Sequence, residues 1–479
     1  MARRKHSRPQ PKTDQAKRIM KTRNNLQKKQ YAVFILASMA ASLLSPLQAQ
    51  DRDPSPNGHG SHLFSPAGDS LRRGTGELGQ LLGIPKDSAV TLGGEWIGNG
   101  STQMSGGWIG PYGRQSYGQA GFIDLRLNAE KARFWKGGEV WVQGLQYNVL
   151  NNGNNASGSV QQFNNLLSAP PFTRTELYTY GLKQKLFSGQ VEVSLGKLFA
   201  GYYFGAVARP IPDQNKAIAG GANTNLLFLP PYSQPTFVGR EPGYPDSTLG
   251  GVLTLQPNAL AKKAYLTVGI FDGRTGLGPI GTVATGMEMG GDLRGPLLTM
   301  AEMGSVWSIS QKQLPGSMAV GLWSQSGRLT TPCSTIVGNR GCAIEERATG
   351  IYGYTVQTLS AFTKAGKPGK IMAFLQGGGT SSRTNMVNAS ATGGLEIVGA
   401  FSGRENDSYG VGISWAKLND SVDADWGFNK NELMLQATAR FQVWGQIYAQ
   451  PVLTWLPRVG FSEAKNNGTT FTLQLSTSF

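Results

Sequence analysis

The sequence predicts an all-β fold: a closed antiparallel transmembrane β-barrel of about 16 strands behind a short N-terminal helical or flexible segment. Three observations predict it. Segments of about ten residues that alternate apolar and polar recur from residue 88 to the end. The chain closes on such a segment, "TTFTLQLSTSF", and on a bare aromatic, Phe479. The N-terminus reads as an export signal, and no later stretch approaches the roughly 20 apolar residues of a spanning helix. The mean hydropathy of −0.25 likewise argues against a helical membrane protein.

Residues 1–49 are read as a signal peptide. The first 30 residues carry eleven Lys or Arg against one acid, Asp14, and so hold most of the chain's net charge of +16. A basic arm can bind nucleic acid. Here "YAVFILASMAASLLSPLQAQ" follows directly, and a basic segment, an apolar core and small residues before a cut compose a secretory signal. Cleavage is expected after Ala49, and Met20 offers an alternative start with more ordinary proportions. No nucleic-acid partner is expected. Residues 50–85 are read as a flexible segment with a short helix between Leu71 and Leu82, before Pro85. The barrel is assigned to 86–479.

The strands follow in order. "FIDLRLNA" sets Ile123, Leu125 and Leu127 against Asp124, Arg126 and Asn128. "QVEVSLGK" opposes Val191, Val193 and Leu195 to Gln190, Glu192 and Ser194. "KAYLTVGIF" and "GGLEIVGAF" alternate likewise, as do "SYGVGISWAK" and "NELMLQATARFQ". In "GQIYAQPVLTWL", Ile447, Ala449, Pro451, Leu453 and Trp455 oppose Gln446, Tyr448, Gln450 and Thr454. At the end, Phe471, Leu473 and Leu475 oppose Thr472, Gln474 and Ser476. Side chains of a strand alternate between two faces, so each segment has one apolar and one polar side.

The polar faces carry Glu, Gln, Arg, Asn and small residues, as a water-filled lumen requires; the apolar faces are uniform enough for lipid. Trp and Tyr gather near segment ends, where a membrane interface places them. An open sheet cannot sit in lipid, so the sheet must close. Residues 86–479 accommodate 16 strands, with 14 or 18 as neighbours, and a barrel of 16 to 18 leaves an aqueous channel. Cys333 and Cys342 bracket "STIVGNRG" and are expected to form a disulfide in an oxidising compartment.

Several longer phrases resemble the carbohydrate-selective porin family, the OprB type. They include "ELYTYGLKQKLFSGQVEVSLGKLFAGYYF" (176–204), "NTNLLFLPPYSQPTFVGREPGYPDSTLGGVLTLQPN" (223–258) and "GIFDGRTG" (269–276). "LPGSMAVGLWSQSGR", "GIYGYTVQTLS", "FSGRENDSYGVGISWAK" and "ELMLQATARFQVWGQIYAQPVLTWLPRVG" continue the series in the family's order, over about 70–479. The resemblance implies an outer-membrane porin of a Gram-negative bacterium that passes small sugars such as glucose by passive diffusion, without a cofactor. It also gives the terminal Phe479 the look of a barrel-assembly signal. Partners would then be sugars, outer-membrane lipid and, during biogenesis, periplasmic chaperones and the assembly machinery, with the barrel a monomer or a homotrimer. The chain departs from the family at "LQATARF", where Gln436 and Phe441 replace an expected acid and Tyr.

A sugar offers hydroxyls at its rim and C–H faces, so its channel needs donor–acceptor side chains, and Arg both hydrogen-bonds and stacks. Residues read as lining the pore are Glu95, Asp124, Arg126, Glu176, Tyr178, Gln184, Glu432, Gln436, Arg440, Gln446, Tyr448 and Gln450. Lys197 falls on the apolar parity of its strand, which puts it at the membrane edge or past a bulge. The long, Pro-rich, apolar "LLFLPPYSQPTFVGREPGYP" is the candidate for an inward-folded loop, with Arg240 reaching the lumen. An outer-membrane hydrolase is excluded as a Ser–His enzyme, because the three His (His6, His59, His62) all precede the barrel. A general or anion-preferring porin and a non-conducting structural or adhesive barrel are the alternatives.

Overall fold

A computed structural model describes residues 77–479 except 86, 108–113, 151–156, 165, 167–172, 206–225, 238–239, 241–246, 258–263, 274–292, 294, 310–313, 331–343, 365, 420–428 and 461–464. The signal peptide, Met20, most of the N-terminal segment, Cys333 and Cys342 lie outside the described residues. Of the helix expected between Leu71 and Leu82, residues 71–76 lie outside the described residues, and helix α1 spans Glu77–Leu81. It precedes β1 (Val90–Gly107), β2 (Gln115–Asn128), β3 (Gly138–Leu150), β4 (Thr173–Leu186), β5 (Val191–Leu198) and β6 (Thr248–Leu255). Next come β7 (Ala264–Asp272), β8 (Leu297–Ile309), β9 (Leu314–Thr330), β10 (Ile344–Lys364) and β11 (Lys367–Thr380). The series ends with β12 (Val387–Val398), β13 (Ser408–Leu418), β14 (Asn431–Trp444), β15 (Ile447–Arg458) and β16 (Lys465–Ser478).

Each strand pairs antiparallel with its sequence neighbours, and β1 pairs with β16, closing the sheet into a barrel. Closure leaves no edge, which is the condition for a sheet to survive in lipid. The period-2 pattern decides which side faces out. On β16, Phe471, Leu473 and Leu475 are 41–42% exposed, while Thr472, Gln474 and Ser476 are buried toward the lumen. The same apolar outer row continues through Leu322, Ile351, Leu375, Leu395, Val411 and Leu453. In lipid these residues are solvated by acyl chains.

Short turns join strands on the side of the chain's end, as between β10 and β11 or β14 and β15. The longest links, β5–β6 and β7–β8, lie on the other side. In outer-membrane barrels the short turns are periplasmic. Exposed Phe134, Trp135, Phe187 and Trp444 ring that end, and Trp415 and Trp455 stand toward the opposite one, the aromatic belts of two membrane interfaces.

The seam depends on the last residue. Phe479 exchanges backbone hydrogen bonds with Gly94, 2.9 Å from its N–H and 2.8 Å to its carbonyl. Its ring lies over Gly94, where a Cβ would come within 2.5 Å of both the ring and the Phe122 carbonyl. Gly94→Val is therefore expected to destabilise the closed barrel by about 1–3 kcal/mol through overpacking. A lowered urea midpoint of the folded barrel in detergent, followed by its heat-modifiable gel migration, checks this.

Candidate substrate channel

The lumen is not an open tube, because chain re-enters it from two loops. The β5–β6 link carries Leu226, Leu227 and Phe228, all buried, and Phe228 belongs to one apolar cluster with Phe163, Phe374 and Met434. Residues 226–237 of the apolar, Pro-rich stretch noted in the sequence thus lie inside the barrel. Backbone that leaves water must find partners for its polar groups, and the inner wall supplies them. Gln376 on β11 donates to the Pro230 carbonyl and Asn385 in the β11–β12 loop to the Thr236 carbonyl, while Gln234 of the link itself donates to the Gly377 carbonyl of the wall at 3.3 Å. Part of the β3–β4 link enters as well: Asn99 donates to Asn164 (2.7 Å), and Asn164 donates to Ser101 (3.0 Å), both partners being on β1.

Carboxylates do the same work where several donors converge. Glu302 on β8 accepts from the hydroxyls of Tyr265 (2.8 Å), Tyr352 (3.0 Å) and Tyr354 (3.2 Å) and from the Gly205 amide (3.0 Å). Tyr265 reaches it by lying flat over Gly304, where a Cβ would sit 2.3 Å from the ring. Glu345 on β10 accepts from Ser382, Thr384 and the Arg383 amide, fixing the short β11–β12 loop. Arg240 then ties the β5–β6 link to that loop, donating to the Thr384 carbonyl and hydroxyl (both 2.8 Å) and to Asn385 (3.2 Å). Burial pulls the Arg240 guanidinium down to about 10, and Glu345 opposes that shift; it stays charged at neutral pH.

Two stretches of wall carry charge on lumen rows, though Arg440 in the second is wholly buried. On β2–β5, Arg126 contacts Glu139 at 2.6 Å, Lys183 lies 3.8 Å from the same carboxylate, and Lys185 lies 3.9 Å from Glu192. Arg126 also stands 5.8 Å from the ring centre of Trp141. On β14–β15, the Arg440 guanidinium lies 3.5 Å from the ring centre of Tyr448. Such a stack contributes about 0.5–2 kcal/mol and holds the guanidinium plane in place. Tyr232 of the β5–β6 link completes this side; burial pushes its phenol pKa up, with Glu396 adding to the shift, so it remains a neutral donor.

The residues read from the sequence as pore-lining divide in this geometry. Glu95, Asp124, Arg126, Arg440, Tyr448 and Gln450 lie on lumen rows. Glu176 and Tyr178 also face inward on β4, with Glu176 3.3 Å from Arg174. Glu432 and Gln436 are on a lumen row but lie wholly beneath the re-entrant loops. Gln446 falls in the β14–β15 turn. Gln184 is a correction: the register of β4 against β3 shifts at Tyr178, and beyond this bulge Gln184 shares the outward row of Leu182 and Leu186. There it accepts from Trp135 and donates to the Lys136 carbonyl, both at 2.9 Å. Lys197 sits opposite Tyr180 where the β4–β5 pairing ends, and its ammonium caps the Leu177 carbonyl at 2.7 Å. Arg240 is a loop tether. Trp141, Glu302 and the three tyrosines around Glu302 were not foreseen; an aromatic or acid on the polar parity of a strand was the available signal. Among the described residues no group of His, Cys, Asp and Glu is placed to hold a metal ion.

Comparison with known proteins gives concordant results. The family model described as carbohydrate-selective porin, OprB family, matches residues 115–479. The high-pH structure of Pseudomonas putida OprB is similar with a TM-score of 0.64 at 19% identity, covering 84% of this chain and 96% of that one. The low-pH structure of the same protein is similar at 0.49 and 15% identity, over 85% and 97% of the two chains. Outer-membrane OmpT of Vibrio cholerae is similar at 0.45 and 6%, over 82% and 99%. No match is found among curated protein sequences.

Arg240→Ala removes the tether between the two loops without touching a strand. Limited proteolysis of folded barrels should then cut within 226–240 severalfold faster than in the unaltered protein, with heat-modifiable migration unchanged.

Proposed function

Because this chain belongs to the carbohydrate-selective OprB porin family, we propose that it admits small neutral sugars such as glucose in preference to ions and amino acids of similar size. The observation that carries this reading is the pairing of charge along the β2–β5 wall. Arg126, Glu139 and Lys183 form one ion-paired group and Lys185 with Glu192 another. Three bases against two acids leave a net charge of only +1 here, so the wall offers hydrogen-bond donors and acceptors to hydroxyls with little pull on a counter-ion. The guanidiniums of Arg126 and Arg440 each stand beside an aromatic ring, Trp141 and Tyr448. This combination suits a solute with a polar rim and apolar C–H faces.

The mechanism is passive. A sugar exchanges water for wall amides, hydroxyls and guanidinium groups one contact at a time, and each contact must be weak enough to release it. No cofactor or covalent step enters. Transport partners on this reading are sugars and outer-membrane lipid. In biogenesis, periplasmic chaperones and an assembly machinery would engage the strand that ends at Phe479. Cross-linking in detergent distinguishes monomer from homotrimer.

Liposome swelling with the purified barrel separates the readings. Glucose is expected to enter faster than an amino acid of similar size and faster than a small anion. Equal rates would mark a general porin, a fastest anion an anion-preferring one, and no entry a non-conducting barrel. Arg126→Ala should lower the glucose rate severalfold relative to the amino-acid rate.

A further inference from the structure

We propose that Glu432 and Gln436, neighbours on one lumen row of β14, are the positioning residues that hold both re-entrant loops and so set the size limit of the channel. Glu432 gathers the β3–β4 link: its carboxylate accepts from the Ser159 hydroxyl (3.0 Å) and from the amides of Val160 (2.6 Å) and Gln161 (3.0 Å). Two steps along the row, Gln436 faces both loops at once. Its carbonyl oxygen accepts from the amides of Leu227 and Phe228 in the β5–β6 link. Its amide nitrogen donates to the Phe163 carbonyl of the β3–β4 link (3.3 Å) and to Thr454 on β15 (2.8 Å). The loops also bond to each other, the Leu229 amide donating to the Gln162 carbonyl at 3.0 Å.

The chemistry at each position is matched to what it meets. Two backbone amides and a hydroxyl converge on Glu432, and a carboxylate accepts from all three. Gln436 meets amide donors on one side and a carbonyl and a hydroxyl on the other, and a primary amide serves both. The neighbourhood is fitted to this arrangement. A Cβ on Gly460 would come within 2.4 Å of the Glu432 carboxylate and of the Val160 side chain, and the Gly460 amide donates to the Gly158 carbonyl at 3.0 Å. Because the clasp is chemically directional, isosteric exchange breaks it without changing volume. Glu432→Gln turns an NH₂ group toward backbone N–H donors, and Gln436→Glu sets a carboxylate against the Phe163 carbonyl.

The clasp rests on the porin assignment and not on the sugar preference, since ionic conductance reads the opening whichever solute it favours. The test is single-channel conductance in potassium chloride, with swelling assays on a series of glucose oligomers, for Glu432→Gln and Gln436→Glu barrels that keep heat-modifiable migration. Conductance is expected to rise severalfold and longer oligomers to enter. Unchanged conductance and an unchanged size limit in folded variants would overturn the proposal. Hydrogen exchange on the unaltered protein tests it independently of any variant's folding. The amides of Val160, Gln161, Leu227 and Phe228 should exchange as slowly as strand amides, and exchange at the rate of exposed loops would equally overturn it.

Discussion

Backbone hydrogen bonding away from bulk water is the constraint on which this structure depends. In lipid an unpaired N–H or C=O costs several kcal/mol, and the wall answers by closing β1 onto β16. The requirement does not stop at the wall. β5 and β6 have eight residues each against fourteen in β4, so β4 outruns its partner, and Lys197 and Ser247 cap the Leu177 and Tyr178 carbonyls there. Inside the lumen, Glu302, Glu432 and Gln436 serve backbone that has left water. Many side chains that look like channel chemistry in the sequence are therefore structural partners of loops.

This division of labour bears on selectivity. Polar side chains on an inner row have two uses, to hold chain or to meet solute. Acids such as Glu302 and Glu432, fully engaged by donors, belong to the first group. Those left facing the lumen stand in mutual ion pairs on β2–β5, with the Arg126 guanidinium beside Trp141, whereas Arg440, stacked on Tyr448, is wholly buried. On β2–β5 the ion-paired charges alternate in sign from strand to strand, Arg126, Glu139, Lys183 with Lys185, then Glu192.

The wall was legible in the sequence and the interior largely was not, for a physical reason. Lipid on one side and polar lumen on the other impose a strict period of two, so "TTFTLQLSTSF" and "NELMLQATARFQ" read correctly residue by residue. A bulge erases that record: one extra residue at Tyr178 reversed the parity of Gln184 and left no mark in composition. The β5–β6 link announced its re-entry, since Leu226 to Phe228 and the prolines are too apolar for an exposed loop. The β3–β4 link did not, because "ASGSVQQFNN" looks polar and its burial depends on Glu432, some 270 residues away. Glu302 needed tyrosines from β7 and β10, which only the sheet order brings together.

The closing seam has a consequence for how the chain acquires its shape. The hydroxyls of Ser101 and Thr472, 2.8 Å apart across the β1–β16 pairing, are separated by 371 residues. Local hairpins form from neighbours in sequence, but this last pairing joins the two ends, and such long-range contacts are the slow ones. Without the β1–β16 pairing the sheet keeps two open edges. Vectorial delivery from the N-terminus cannot complete the molecule in stages. The barrel can close only once β16 is made and Phe479 can meet Gly94.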